Sequence, residues 1–466
     1  MNTQGFVEAD EIRTRFSRAM SDMYKQEVPL YGTLMALVAE TNSTVMASDK
    51  AVYDHLQRTG EIERLDMERH GAIRVGTPEE LATIARLFAV MGMQPVGYYD
   101  LTPAGVPVHS TAFRAIHEDS LQASPFRVFT SLLRLDLIEN EEIRQLVQAI
   151  LDQRQIFTPD ALKLIEKFET NGGLDAKDAA DFVEQALETF RWHHDATVTA
   201  KDYQRLHDQH RLIADVVAFK GPHINHLTPR TLDIDMIQNG MQQKGITPKA
   251  VIEGPPRRRC PILLRQTSFK ALQETVAFTD QDGIATGSHT ARFGEIEQRG
   301  AALTPKGREL YDSLLNAARA ELGEFPSESN AEKYTAILEK HFKDFPDDYA
   351  ELHDKGLAYF RYFPTQKGIA SRSNGHRPSS RQELIAQGHI QYEPLVYEDF
   401  LPVSAAGIFQ SNLGDDSQAH YAGSSNQAEF EKALGQKVTN ELKLYADTQR
   451  RSLLDCSTIL AVSPLV

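Results

Sequence analysis

Residues 290–299 read T-A-R-F-G-E-I-E-Q-R, and the alternation of side chains in this stretch predicts a strand. One face of that strand carries Phe293, Glu295, Glu297 and Arg299. Two carboxylates on the inward face of a short, half-apolar strand are unfavourable unless a cation or hydrogen bonds satisfy them. The same alternation is also typical of a surface strand whose acidic face meets water. Other parts of the chain must decide between a surface strand and a ligand-binding strand.

Two further stretches each place a histidine beside or inside a strand-like run. One is M-E-R-H-G-A-I-R at 67–74, which contains His70, and the other is G-P-H-I-N-H-L-T-P-R at 221–230, which contains His223 and His226. Residues three apart on a strand face opposite sides, so His223 and His226 are not expected to bind one ion together. Two histidines and a carboxylate from separate strands form a facial metal triad with open positions. The sequence therefore predicts a metal site built from these strands and one of the two glutamates.

The composition is that of an ordinary globular protein, with 466 residues, 41% of them hydrophobic and 25% charged. This length predicts about two or three packed units. The net charge of −15 argues against nucleic-acid binding, which requires a basic face. The two cysteines, Cys260 and Cys456, are far apart and outside any metal-type spacing, which predicts a reduced, cytoplasmic compartment. We expect no signal peptide and no membrane span, since no apolar run approaches about 18 residues.

The distribution of apolar residues predicts an α+β fold in which one strand–helix–strand unit occurs twice. The two copies share little sequence, so the prediction rests on the order of elements. The predicted division is a helical N-terminal segment (1–60), a first βαβββ-like module (61–118), a helical insertion (119–210), a second βαβββ-like module (211–303) and a C-terminal helical and mixed region (304–466) that completes the site.

The helix of the first module has a clear start at Thr77, because Glu80 follows at the position of a capping box. Strands are predicted at 70–75, 94–99 and 106–116. In the insertion, Val128, Leu132 and Leu135 share a face and predict a helix. For the second module we predict a strand at 212–219 that 223–227 extend, a helix from Thr228 or Thr231 to about Gly245, and strands at 251–253, 262–266 and 291–298.

The predicted donor set favours one kind of chemistry. Two neutral imidazoles and a carboxylate leave a divalent ion with a net positive charge and several open positions. This favours Fe(II), because two positions can take a 2-oxo acid and a third can take O₂. Zinc in the same set would favour hydrolytic or lyase chemistry, and manganese and cobalt remain open.

Two other features are candidate carboxylate-binding groups. Arg74 lies on the same face of the predicted strand as His70, where its guanidinium could hold a substrate carboxylate bidentately; a surface arginine is the alternative. Val403 and Ser404 begin the run V-S-A-A-G, whose small residues and exposed amides suit a carboxylate. The run Arg257–Arg259 follows two prolines and predicts a solvated turn.

The quoted motifs resemble those of one enzyme family. F-G-E-I-E-Q-R resembles the metal-binding last strand of 4-hydroxyphenylpyruvate dioxygenases, and this likeness selects Glu295 over Glu297. The paired modules look like the vicinal oxygen chelate fold of those enzymes. Essentially the whole chain resembles the 2-oxoadipate dioxygenase/decarboxylase family, also called 2-hydroxyglutarate synthases, through M-E-R-H-G-A-I-R, G-P-H-I-N-H-L-T-P-R, R-F-G-E-I-E-Q-R-G and L-P-V-S-A-A-G-I-F.

This resemblance implies a fold, a reaction and a set of site residues. The implied fold is α+β, with vicinal oxygen chelate-like paired βαβββ modules that form a curved mixed sheet around a metal. The implied reaction converts 2-oxoadipate and O₂ to (R)-2-hydroxyglutarate and CO₂ in lysine catabolism, by oxidative decarboxylation followed by hydroxylation of the same molecule. The implied roles are Fe(II) binding by His70, His226 and Glu295, a catalytic and carboxylate-binding role for Arg74, and substrate positioning by Val403 and Ser404.

Two other functions remain as alternatives. A metal-dependent lyase, isomerase or hydrolase on the same scaffold would turn over a 2-oxo acid without O₂. A non-catalytic protein would bind a dicarboxylate without releasing CO₂, but three buried polar ligands left empty would lower its stability. 2-Oxoglutarate or a branched 2-oxo acid are alternative substrates, and the sequence makes no prediction of the oligomeric state.

Overall fold

The structure is a computed structural model, and it describes residues 5–280, 283–290, 292–324, 326–371, 380–401 and 426–465. The fold of these residues is α+β, as predicted, with helices at both ends of the chain and between two groups of strands. None of the helices in the described ranges is long and apolar enough to cross a lipid bilayer.

The N-terminal part is helical, which confirms the prediction for the described residues up to 60. Its helices are α1 (Ala9–Glu27), α2 (Pro29–Ser48), α3 (Lys50–Thr59) and α4 (Glu61–Leu65). Apolar residues at helical spacing along α1, such as Phe16 and Met20, are fully buried. Phe16 meets Phe126 edge to face, with ring centroids 5.8 Å apart. The N-terminal helices therefore pack on the strands that follow them.

The first group of strands forms one sheet. Its elements are β1 (Arg69–Val75), α5 (Pro78–Val90), β2 (Gln94–Asp100), β3 (Val108–Arg114), α6 (Glu118–Ala123) and β4 (Phe126–Leu133). The strand order is β2-β3-β4-β1, in which β1 and β4 are parallel and the other neighbours antiparallel. Helix α5 begins at the predicted capping box, since Thr77 and Glu80 each accept a hydrogen bond from the other's backbone.

Strand β4 contradicts the predicted helix. Val128 and Leu132 lie on this strand, and Leu135 lies in a short 3₁₀ helix after it. Every residue of β4 is buried, including the polar Arg127, Thr130 and Ser131, so the strand lacks the alternation of apolar and polar residues that marks a half-buried strand. The first group of strands therefore extends past residue 118, into the segment predicted as an insertion.

The rest of that segment is helical, as predicted. Its helices are α7 (Glu141–Leu151), α8 (Pro159–Asn171), α9 (Ala176–Glu188) and α10 (Ala200–Gln209), followed by α11 (Arg211–Val217). Helix α11 contradicts the strand predicted at 212–219. His210 caps α11 by accepting the backbone N–H of Leu212 at 3.1 Å. A short apolar run fits a buried helix and a buried strand equally well, so periodicity could not separate them.

The second group of strands continues from the free edge of β1. Its elements are β5 (Leu227–Pro229), α12 (Ile234–Gln243), β6 (Leu264–Ser268), β7 (Gln273–Asp280), β8 (Gly283–Thr290) and β9 (Glu295–Arg299). Strand β5 pairs antiparallel with β1, and a parallel bridge between Arg230 and Glu297 joins the chain just after β5 to β9. Strand β9 pairs antiparallel with β6. The strands predicted at 262–266 and 291–298 are therefore confirmed, with shifted bounds.

Two features of this group differ from the prediction. Helix α12 begins after Asp233, which caps it, and not at Thr228 or Thr231, because the residues of β5 pair with β1. The antiparallel hairpin of β7 and β8 was not predicted. The sequence D-Q-D-G at 280–283 carries the Asp-Gly signal of a hairpin turn, which could have revealed it.

The C-terminal region packs around a hydrophobic core that includes Tyr311, Phe342 and Leu453 and to which Leu264 of β6 also contributes. Helix α13 begins after its cap Thr304, which accepts a hydrogen bond from the backbone N–H of Gly307. The elements are α13 (Pro305–Leu322), α14 (Ala331–His341), α15 (Tyr349–Asp354), β10 (Phe360–Pro364), α16 (Gln366–Ala370), α17 (Arg381–Ala386), β11 (Ile390–Pro394), α18 (Gln427–Leu434) and α19 (Glu441–Leu460), with β10 and β11 antiparallel.

Candidate metal centre

Three neighbouring strands position the three predicted ligands. His70 lies on β1, opposite Thr228 of β5, and His226 directly precedes β5. Glu295 is the first residue of β9. The bridge between Arg230 and Glu297 places β9 beside β5, on the side of β5 opposite to β1. The strand pairing therefore brings His70, His226 and Glu295 together, and one candidate ligand atom from each lies within 4.8 Å of the others.

The Glu295 carboxylate is the centre of this group. Its Oε1 lies 3.0 Å from His70 Nε2 and 3.7 Å from His226 Nδ1. The same oxygen accepts hydrogen bonds from Thr228 Oγ1 at 3.1 Å and from Gln266 Nε2 at 2.9 Å. His70, His226 and Glu295 are only 0%, 5% and 4% exposed. The carboxylate and the two imidazoles thus lie close together and are almost inaccessible to solvent.

Glu297 lies behind His70 and outside this group. Its Oε2 is 2.8 Å from His70 Nδ1, the ring nitrogen that is not directed at Glu295. A carboxylate on one ring nitrogen holds the proton there and leaves the other nitrogen free for a metal. Arg299 donates to both Glu297 oxygens, at 2.7 and 2.9 Å. The two glutamates, which share a face of the strand, therefore have different partners.

A buried network of charged side chains surrounds Glu297. Glu68 is at its centre, with ion pairs to Arg64 at 3.2 Å, Arg127 at 2.8 Å, Arg230 at 3.1 Å and Arg299 at 3.4 Å. Glu398 pairs with both Arg64 and Arg127. Buried charges are stable only when they are paired and hydrogen-bonded. In this network each of the four arginines contacts at least two carboxylates. Nothing in the local sequence distinguishes these residues from surface charges.

The pKa values of the two histidines in the centre are shifted in opposite directions. Burial lowers the pKa of His226 to about 4, although Glu295 opposes this shift. Burial also disfavours a charged His70, but Glu297 and Glu295 outweigh it and raise the pKa of His70. Burial would raise the pKa of Glu297, but Arg299 and His70 outweigh this effect and lower the pKa to about 2. At neutral pH His226 is therefore neutral and Glu297 ionised, the states that metal binding and histidine orientation require.

Aromatic rings close the sides of the centre. Phe400 meets His70 edge to face with ring centroids 4.9 Å apart, and Phe293 stacks on His226 at 4.9 Å. Phe129 of β4 packs behind Phe400 at 4.9 Å. Apolar walls exclude water and strengthen the electrostatic interactions of groups inside them.

Arg74 extends from the same strand as His70. Its Nη1 donates hydrogen bonds to Asp215 Oδ2 at 2.7 Å and to Asn225 Oδ1 at 2.8 Å. Within the described ranges, the hydrogen bonds of Arg74 all come from Nη1, and its side chain is 19% exposed. The edge of the guanidinium formed by Nε and Nη2 is therefore available to a ligand.

The remaining candidate residues from the sequence lie in different environments. His223 and His226 contact different groups, as predicted, with His223 Nε2 3.2 Å from Asp215 Oδ1. The reason differs from the predicted one, because residues 223–226 are not in a strand and β5 begins only at Leu227. The solvated turn is confirmed for Arg257 and Arg259 but wrong for Arg258, whose side chain is 4% exposed and donates to the carbonyls of residues 345 and 346. Val403 and Ser404 lie outside the described residues.

Sequence reasoning did not single out Thr228, Gln266 or Phe400. Thr228 is two residues after His226, hence on the same face of a strand, so alternation could have found it. Gln266 reaches Glu295 because β6 pairs with β9, and Phe400 reaches His70 from a segment far away in the chain. No local pattern reveals such pairings.

The residues present fit a divalent metal ion. Oxygen and nitrogen atoms 3.0 and 3.7 Å apart can share one ion at metal–ligand distances of about 2.0–2.2 Å. Glu297 on the second nitrogen of His70 is the outer partner that metal-binding histidines generally have. Two imidazoles and a carboxylate would also leave coordination positions open for a substrate.

Comparison with known proteins gives consistent matches along the chain. Residues 16–412 match the family described as "HGLS: 2-oxoadipate dioxygenase/decarboxylase". A 2-oxoadipate dioxygenase/decarboxylase of Pseudomonas putida is 70% identical over 460 residues, 99% of each chain. The protein of the same name from Escherichia coli strain K12 is 55% identical, over 97% of this chain and 99% of its own. The crystal structure of a P. putida hydroxyglutarate synthase in complex with 2-oxoadipate is similar at a TM-score of 0.92, with 67% identity, over 98% of this chain and 100% of the other.

Proposed function

Because this chain belongs to the 2-oxoadipate dioxygenase/decarboxylase family, we propose that it converts 2-oxoadipate and O₂ to 2-hydroxyglutarate and CO₂. The observation that carries this proposal is the buried group of His70, His226 and Glu295 with the open edge of Arg74 on the same strand. A 2-oxo dicarboxylate needs a site for its 2-oxo acid end and a cation for its other end, and this arrangement offers both.

We propose Fe(II) as the metal held by His70, His226 and Glu295. Iron bound there would supply redox chemistry, with open positions for the 2-oxo acid and for O₂. The donor set supports this choice, because it contains no cysteine and only one carboxylate among the ligands. Glu297 Oε2, 2.8 Å from His70 Nδ1, would hold a proton on that nitrogen and so keep Nε2 directed at the metal position.

The other residues bind, orient and shield the substrate. Arg74 would pair with the distal carboxylate through Nε and Nη2, in the planar two-donor geometry that carboxylates accept. This local positive charge is needed because the whole chain carries a net charge of −15. Phe400 and Phe293 keep water from the reacting carbon atoms. By family resemblance, Val403 and Ser404 would complete the substrate site.

The vicinal oxygen chelate-like architecture is the fold that we propose around this centre. In the first group of strands β1 is parallel to β4, which is antiparallel to β3. In the second group the chain after β5 is bridged in parallel to β9, which is antiparallel to β6. The same order of neighbours in both groups supports two paired modules with the metal between them. The R configuration of the product and the cytoplasmic location stay predictions, and so do the predicted domain bounds other than the one at residue 118, which β4 contradicts.

The test is O₂ consumption by anaerobically purified protein loaded with Fe(II), on addition of 2-oxoadipate. We expect one O₂ consumed for each CO₂ and 2-hydroxyglutarate formed, with the products identified by mass spectrometry. His70→Ala and Glu295→Gln should abolish turnover while the circular dichroism spectrum stays that of the wild type. Iron-loaded protein that consumes no O₂ with 2-oxoadipate, 2-oxoglutarate or a branched 2-oxo acid would contradict the proposal and favour a lyase.

A further inference from the structure

A second buried cluster of titratable side chains lies beside Arg74. Its members are Asp215 of α11, His289 of β8, Tyr203 of α10 and His223, and they are 7%, 5%, 8% and 3% exposed. Asp215 Oδ1 lies 2.9 Å from His289 Nε2, and His289 Nδ1 lies 2.7 Å from Tyr203 Oη. The other oxygen of Asp215 accepts from Arg74. Tyr203, His289, Asp215 and Arg74 therefore form one continuous chain of polar contacts that ends at the proposed substrate.

We propose that Asp215 is a positioning residue that orients Arg74 for the substrate carboxylate, and that His289 orients Asp215 in turn. This inference rests on the proposed function, because it takes Arg74 as the group that binds the substrate. The metal would occupy the 2-oxo acid end, so the carboxylate that reaches Arg74 is the distal one. Asp215 contacts neither the metal ligands nor the substrate and acts through Arg74.

The geometry of the guanidinium explains this role. Nη1 of Arg74 donates to two acceptors at once, Asp215 Oδ2 and Asn225 Oδ1. Because the guanidinium is planar, two acceptors on one nitrogen fix the plane of the whole group. The opposite edge, with Nε and Nη2, is then held in one direction before a ligand arrives. Holding it beforehand removes part of the entropy that binding would otherwise lose.

His289 and its neighbours hold Asp215 in the orientation that Arg74 needs. The contact of His289 with Oδ1 leaves Oδ2 directed at Arg74. Trp192 stacks on His289 with an interplanar angle of 7° and meets His223 edge to face at 4.7 Å. The imidazole of His289 is thus held on its faces by packing and at its edge by Tyr203. Arg74 in turn keeps Asp215 ionised, since the pKa of Asp215 is well below its usual range against the effect of burial.

The same residues could be taken for a second metal site, because Asp215, His223 and His289 lie within 4.8 Å of one another. The observations favour the positioning role. The cluster has one negative charge, and the guanidinium at 2.7 Å already balances it. Both carboxylate oxygens have protein partners, and a proton on His289 Nε2 satisfies that contact without an ion. In the metal centre, by contrast, the carboxylate of Glu295 has no arginine partner within the described ranges.

The experiment is a double-mutant cycle on binding of 2-oxoadipate to the metal-loaded protein, measured anaerobically by calorimetry so that no turnover occurs. We expect Asp215→Asn to weaken binding about three- to tenfold, because the arginine must then be ordered at the moment of binding. Arg74→Ala should weaken binding more. Added to Arg74→Ala, Asp215→Asn should have no further effect.

Matched variants separate positioning from general damage. His289→Gln keeps an N–H donor for Asp215 and should bind normally, whereas His289→Ala should bind as weakly as Asp215→Asn. Glu393→Gln removes another ion-paired carboxylate, 2.5 Å from Arg58 and 2.8 Å from His55, and should bind as the wild type does. The metal content of every variant should equal that of the wild type.

Each contrary result has a distinct meaning. Normal binding by Asp215→Asn, or additive effects of Asp215→Asn and Arg74→Ala, would overturn the positioning role while the proposed function stands. Normal binding by Arg74→Ala would overturn the role of Arg74 and this inference together. Loss of a second equivalent of metal in His289→Ala would show that the cluster is a metal site and would also overturn the inference.

Discussion

At the scale of single residues, the proposed metal centre depends on the different partners of two glutamates on one strand. Glu295 and Glu297 have the same residue type, the same face and nearly the same burial, with 4% and 0% exposure. Their neighbours differ: Glu295 meets the two histidines and neutral donors, while Glu297 meets Arg299 and the outer nitrogen of His70. A glutamate paired with arginine is less available to a metal than one that receives only neutral hydrogen bonds.

This difference predicts that Glu297→Gln weakens metal binding about 10- to 100-fold, because His70 loses the carboxylate that orients its ring and raises its basicity. The dissociation constant of Fe(II), or of Co(II) as a spectroscopic probe, measures the effect. Glu295→Gln should abolish tight binding, since it removes a ligand.

Glu398→Gln is the control for this prediction. Glu398 belongs to the same arginine network, through Arg64 and Arg127, but does not contact His70. It should lower the stability of the fold without changing the metal affinity. Equal loss of affinity in Glu297→Gln and Glu398→Gln would show that network damage, and not the orientation of His70, is responsible.

At the scale of elements, helix α5 is specified by its own first turn. Thr77 accepts from Glu80 N, and Glu80 accepts from the backbone of Gly76 at 2.7 Å and pairs with Arg154 at 2.7 Å. The cap thus joins α5 to the end of β1 and to the helical segment that follows β4. An element with such a local start signal is predictable from sequence, whereas β4 has none and the spacing of its apolar residues wrongly predicts a helix.

The cap predicts that Thr77→Ala lowers the free energy of unfolding by about 1 kcal/mol, because the N–H of Glu80 loses its acceptor. Urea denaturation at neutral pH measures this change. Thr77→Ser keeps the hydroxyl and should lose less than half as much. The same loss in both variants would mean that packing of the threonine methyl group, and not the cap, is the cause.

At the scale of the whole molecule, folding buries histidines in separate parts of the structure. Burial lowers the pKa of His109, His210 and His226 to about 4 in each case. A histidine whose folded-state pKa is depressed binds its proton first in the unfolded chain. Its contribution to stability is therefore present above about pH 6.5 and is lost as the pH falls toward 4.

His109 offers the cleanest test, because it lies on β3, away from the proposed metal ligands, and is 2% exposed. We expect the free energy of unfolding to fall between pH 7 and pH 5, and His109→Gln to reduce that fall by on the order of 1–2 kcal/mol. Urea denaturation at both pH values measures the difference. An unchanged pH dependence in His109→Gln would show that other groups cause the acid sensitivity.

Local sequence was sufficient for features whose signals lie within a few residues. The capping residues Thr77 and Thr304, the strand around His70 and the alternation of β9 were all predictable, because caps and alternation act over one turn or one strand. The family motifs also named His70, His226 and Glu295 before any geometry was known, and the strand pairing places these three side chains together.

Only the tertiary structure decided the features that depend on which residues pack against a given side chain. Strand β4 and helix α11 are both short and almost entirely buried, and neither shows a regular alternation of apolar and polar residues, so only packing determines which is strand and which is helix. Other features depend on contacts between residues far apart in sequence. These are the separate environments of Glu295 and Glu297, the arginines around Glu68 and the contact of Asp215 with Arg74. No sequence pattern encodes such contacts, because the free energy of a buried charge depends on partners that only the complete fold brings to it.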